Sequence, residues 1–188
     1  NTNHTIFTSV NNGTNIQSDL GSTSQLTLDN LSVGLQASGG TGIDFDTGDG
    51  TDLVLDSVDV NGDAASPAST GIRVNDPATV LNTKPLSDNG ATIAGVDRGL
   101  NINSIDRHDT TTIENLVFED IGSNQALVVS SIDEVGSDPN QELTLANITV
   151  RGDSSGATGI DVSEADLNNV FVENATLGTT AGSGVSTG

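Results

Sequence analysis

Leu143-Thr144-Leu145-Ala146-Asn147-Ile148-Thr149-Val150 alternates apolar and small or polar residues on both sides of one asparagine. Period-two alternation is the signature of a short strand that buries one face and shows the other to solvent. The asparagine between the two runs is a residue type that tolerates a left-handed backbone or bonds locally to it. The octet therefore reads as strand, sharp corner, strand.

The same pattern returns along the chain. Leu26-Thr27-Leu28-Asp29-Asn30-Leu31-Ser32-Val33 and Leu53-Val54-Leu55-Asp56-Ser57-Val58-Asp59-Val60 repeat it closely. Looser copies run from Thr111 to Phe118 around Asn115 and from Val170 to Leu177 around Asn174. In the third repeat the nearest match is Ile93-Ala94-Gly95-Val96. Between successive copies lies a second motif, a small residue followed by an apolar, polar, apolar triplet. It reads Gly42-Ile43-Asp44-Phe45, Gly71-Ile72-Arg73-Val74, Gly99-Leu100-Asn101-Ile102, Ala126-Leu127-Val128-Val129 and Gly159-Ile160-Asp161-Val162. Its leading apolar positions, 16, 43, 72, 100, 127, 160 and 185, are separated by 27, 29, 28, 27, 33 and 25 residues. A repeat that keeps its strands and varies its loops drifts in this way, and such drift belongs to solenoids.

One coil is thus a Gly-led strand, a variable loop, a second strand, a corner and a third strand. Stacking about six of them gives an all-β solenoid in which Asn30, Ser57, Gly95, Asn115, Asn147 and Asn174 are expected to form one corner file. Side-chain amides can hydrogen-bond up and down such a file. Residues 1–14 read as a partial first coil, 15–185 as the repeated coils and 186–188 as the start of another. The whole is expected to be one segment of a longer chain or of a stacked assembly.

Composition agrees with strands rather than helices. Only 33% of the residues are hydrophobic and 2% aromatic, with no Trp, Tyr, Cys or Met, so a helical bundle core is poorly supplied. The absence of cysteine excludes thiol catalysis and thiolate metal sites. Five basic residues against 26 acidic ones give a formal net charge of -21. That charge repels nucleic acid and anionic membranes and attracts cations, calcium foremost. No stretch reaches the roughly 18 apolar residues of a membrane span.

In these two motifs the chain resembles the right-handed parallel β-helix superfamily, the pectate-lyase-like solenoids, over roughly residues 14–185. The resemblance is one of architecture and points to no single family. It implies a three-sided right-handed coil with parallel strands on each side, in a group that includes secreted polysaccharide enzymes, adhesins and tailspikes. It also implies a secreted or cell-surface location.

Two clusters bear on chemistry. Asp44, Asp46, Asp49 and Asp52 lie in a Gly-containing acidic loop and are the candidate calcium ligands, because calcium takes six to eight oxygens and glycines let a loop wrap. The loop is no EF-hand, since Gly48 stands where a third acidic residue belongs, and the plainer reading is a solvated acidic turn. Asp106, Arg107, His108 and Asp109 are the densest run of catalytic residue types. In lyases of the resembled group an Arg abstracts a proton acidified by carboxylate-bound calcium, and in the hydrolases carboxylates do acid and base work. Side chains adjacent in sequence point different ways, so catalysis is the less favoured reading. Of five Asn-x-Ser/Thr sequons, at Asn3, Asn12, Asn30, Asn147 and Asn174, the last three fall on corners, leaving Asn3 and Asn12 for glycans.

The lack of Trp and Tyr removes the aromatic faces that usually grip sugar rings. Terminal coils without polar caps point to stacking on further coils. The chain is therefore expected to be an extracellular structural or adhesive solenoid segment of a stalk, sheath, fibre or adhesin, self-associating through its coil ends. The alternatives are a calcium-dependent polysaccharide lyase or glycoside hydrolase fragment, with polysaccharide as partner, and a calcium-ordered surface-layer protein.

Overall fold

A computed structural model describes residues 5–8, 14–20, 25–35, 39–62, 69–82, 91–104, 110–122, 124–129, 142–152, 158–162 and 169–179. Among these residues the regular structure is all strand. In chain order the strands are β1 (Thr5–Thr8), β2 (Thr14–Leu20), β3 (Gln25–Gly34), β4 (Thr41–Asn61), β5 (Thr70–Asn82), β6 (Thr92–Ala94), β7 (Arg98–Ser104) and β8 (Thr110–Glu114). They continue as β9 (Val117–Glu119), β10 (Gln125–Val129), β11 (Glu142–Ala146), β12 (Thr149–Gly152), β13 (Thr158–Asp161), β14 (Asn169–Glu173) and β15 (Thr176–Thr179).

Every pairing among the described strands is parallel, and each joins segments about one repeat apart in sequence. The pairings fall into three stacks. The first holds β2, the start of β4, the start of β5, β7, β10 and β13. The second holds the start of β3, the middle of β4, the end of β5, β8, β11 and β14. The third holds β1, the end of β3, the end of β4, β6, β9, β12 and β15. The long strand β4 runs through all three in turn, so the chain visits the stacks in a fixed order. Parallel strands in stacked sheets, visited repeatedly in one order, are compatible with a parallel solenoid.

The register follows the apolar pattern. In the first stack Ile16, Ile43, Ile72, Leu100, Leu127 and Ile160 are successive partners. In the third, Val33, Val60, Ile93, Phe118, Val150 and Leu177 stand in line. Because side chains alternate with period two, a slip of one residue would turn the whole apolar row outward, so the core pins the register. Val33, Ile43, Phe45, Leu53, Leu55, Val60, Ile72, Leu100, Phe118, Leu143 and Leu145 are fully buried, and residues of all three stacks belong to one apolar cluster. At roughly 1.5–3 kcal/mol for each large apolar side chain buried, this cluster is the main force holding coil on coil.

One register irregularity keeps the faces correct. Val80 of β5 pairs with Leu53 on one side and with Ile113 on the other. Leu53 stands four residues before its corner at Ser57, whereas Ile113 stands two before Asn115. The slip is two residues, an even number, and Leu53, Val80 and Ile113 are all fully buried.

The small residue that leads the first-stack strands is there for space. A Cβ at Gly99 would lie 2.5 Å from the Phe118 ring and closer still to the carbonyl oxygen of Ala126. Gly99 thus lets the first and third stacks approach through the core.

Candidate functional site

The corners carry the clearest local geometry. Asn30, Ser57, Asn115, Asn147 and Asn174 all have positive φ, between 49° and 60°. The left-handed region costs most L-residues about 1–2 kcal/mol, and Asn bears it best among non-glycines. Each of these residues sits between a second-stack and a third-stack strand. Asn147 Nδ2 donates to Asn115 Oδ1 at 2.9 Å, and Asn174 Nδ2 donates to Asn147 Oδ1 at 3.2 Å. The same backbone twist that turns the chain therefore aims an amide along the stacking direction. At the other end of the file, Asn30 Nδ2 donates to the neighbouring Asp29 Oδ1 at 2.6 Å.

Gly95 does not stand in this file. The pairs Thr92–Val117, Ile93–Phe118 and Ala94–Glu119 bring Gly95 level with Asp120, after the third-stack strand rather than before it. Gly95 has φ 63° and Asp120 φ 50°, so the two share a second corner, from the third stack toward the first. The third-coil position level with Asn115 precedes Ala91 and lies outside the described residues.

The acidic loop is divided by the fold. Asp44 is on the first stack and Asp52 on the second. The Asp44 carboxylate is bound by Arg73 of the next coil through two donors, with Nε to Oδ1 at 2.8 Å and Nη2 to Oδ2. Asp44 is 8% exposed, more buried than an outward strand position suggests, because the guanidinium covers it. A fork-on-fork pair of this kind is stronger than an open surface ion pair. It also commits a candidate calcium ligand to a cation of the chain itself. The side chains of Asp46 and Asp49 are outside the described set, and among the described residues no three His, Cys, Asp or Glu side chains converge as a metal site would require. Asp106, Arg107, His108 and Asp109, with the sequons at Asn3 and Asn12, likewise lie outside the described residues.

A second polar file was not anticipated. Three residues before the leading apolar position of the first-stack strands stand Gly40, Ser69, Asp97 and Asn124. Their carbonyls or amides continue the ladder, with Thr70 N–H donating to Gly40 O and Arg98 N–H to Ser69 O, both at 2.9 Å. The Asp97 N–H donates to Ser69 Oγ at 3.3 Å, and Asn124 Nδ2 donates to Asp97 Oδ2. Ser69 and Asp97 are buried. Together with Thr70 and Arg98 they line a half-open recess of about 140 Å³. The signal was weak in sequence, because the file changes residue type at every coil and only its constant distance from the Gly-led triplet marks it.

Outside the recess, Arg151 Nη1 meets Glu119 Oε1 at 3.0 Å across the third stack. Comparison with protein-family models, with curated proteins and with solved structures finds no match to this chain.

Proposed function

We propose that the chain is a segment of a right-handed parallel β-helix with an extracellular structural or adhesive role, extended by adding coil on coil. The observation that carries this reading is at the last described rung. Val170 and Val172 are in register with Leu143 and Leu145, which are fully buried, yet they are 41% and 53% exposed. Leu177 on β15, level with the buried Val150, is also exposed. Inward positions of the repeat that meet water are a surface that another coil, rather than a small ligand, would cover. A dense acidic exterior fits a secreted, solvated fibre or sheath, and the recurring corner file fits growth by identical units.

Electron microscopy and sedimentation of the purified chain test the reading. Filaments or end-to-end dimers, with an axial repeat of whole coils at about 4.8 Å each, support it. Strictly monomeric protein at high concentration that sheds acidic polysaccharide fragments would replace it with the enzyme reading. That activity should then depend on calcium and be lost in Arg107→Ala.

A further inference from the structure

We propose that the recess at Ser69, Thr70, Asp97, Arg98 and Asn124 is a binding site for a small neutral polyol, through its vicinal hydroxyls. Buried polar groups in folded proteins almost always find a hydrogen-bond partner, so those that do not deserve an explanation. Arg98 Nε is buried and has no acceptor among the described residues. On the neighbouring strand, Gln125 stands two residues before Leu127 as Arg98 does before Leu100, and Leu127 and Leu100 are partners. Gln125 Oε1 is buried without a donor among the described residues. Arg98 thus brings a donor lacking an acceptor to the lining of a recess with space for about four or five waters, and Gln125, level with it on the neighbouring strand, carries an acceptor lacking a donor.

The charges select the ligand class. Arg98 and the buried Asp97 make the lining neutral as a pair, and Asp97 already accepts from Asn124. A small anion would satisfy Arg98 but would meet Asp97 and the field of a chain with formal charge -21. A cation would meet the guanidinium. A hydroxyl is both donor and acceptor, and two adjacent hydroxyls can serve Arg98 and a carboxylate or amide oxygen at once. The Thr70 hydroxyl offers a further partner of either sense.

The test is a titration of the full chain with xylitol, followed by NMR of the Arg Nε–H and Asn side-chain signals, with methyl glucoside and acetate as parallel arms. Saturable shifts of the Arg98 and Asn124 signals, at a dissociation constant on the order of millimolar, are expected with xylitol. Response to methyl glucoside as well extends the site to a sugar ring, and response to xylitol alone restricts it to open-chain polyols. Arg98→Met, which keeps the aliphatic stem, should weaken binding at least about tenfold with an unchanged circular dichroism spectrum. If Arg98→Met does not fold, Thr70→Val provides the same comparison. Saturation by acetate and not by xylitol, equal shifts in the variants, or no saturable shift in any arm would each overturn the proposal, the last leaving a water-filled recess.

Discussion

At the scale of single residues, the corner asparagines do two jobs that can be separated. Asn147 supplies a left-handed backbone and a link between Asn115 and Asn174. Asn147→Gly keeps the first and loses the second, whereas Asn147→Ala loses both. Urea denaturation should show a loss of about 1 kcal/mol for the glycine variant, from the ladder. It should show about 2–3 kcal/mol for the alanine variant, which adds the backbone cost. No loss in the glycine variant would mean that the amide ladder contributes nothing, and equal losses would mean that the left-handed backbone costs alanine nothing. Asp59 makes the opposite kind of prediction. It points outward on β4 between Ser32 and Thr92, and desolvation by its surroundings raises its carboxyl above the ordinary 3.8. The folded chain then holds this proton more tightly than the unfolded chain does, so Asp59 lowers stability as pH rises from about 3.8 through the raised value. Asp59→Asn should be slightly more stable than the parent at pH 7, by less than about 0.5 kcal/mol, and should gain nothing at pH 3. Melting temperatures at the two pH values check the sign.

At the scale of elements, the strand pattern was legible because each apolar residue of the Gly-led triplet is placed by both alternation and repeat spacing. Ile16 to Ile160 pair in the order that the spacing predicts. The corner file was legible for Asn30, Ser57, Asn115, Asn147 and Asn174 because residue type and motif position agree. Gly95 misled because two different corners need the same left-handed backbone, and glycine satisfies either. In that coil twelve residues separate Val80 from Ile93, so the second-stack strand no longer sits beside its partner in sequence. The recess was not legible, since Ser69, Asp97 and Asn124 share a place and not a chemistry. Gly99, by contrast, follows from its neighbours. Gly99→Ala would press on Phe118 and on the Ala126 carbonyl, and should cost about 1–3 kcal/mol by overpacking. Combining it with Phe118→Leu should recover part of that loss if the ring is what the added methyl meets, and a double-mutant cycle measures the recovery.

At the scale of the whole molecule, stability and association should respond to different residues. Phe118 is fully buried in the third stack, and Phe118→Ala should cost about 3–5 kcal/mol of folding stability. Val170 and Val172 are exposed at the last described rung, so Val170→Thr together with Val172→Thr should change melting by little while lowering end-to-end association seen in sedimentation. Loss of folding with no change in association would place the growing surface elsewhere.

The two-residue slip at Val80 has a consequence for how such a chain can change length. Between the strands the repeat tolerates insertions, which is how successive repeats come to span anywhere from 25 to 33 residues. Inside a strand the arithmetic is stricter. A gain or loss of one residue exchanges interior for exterior along the rest of that strand, while a gain or loss of two restores the original sense one step along. Val80 lies between partners that differ by that even step and remains wholly enclosed. The stack behaves as a ratchet with two-residue teeth, free to lengthen at its bends and quantised along its sides.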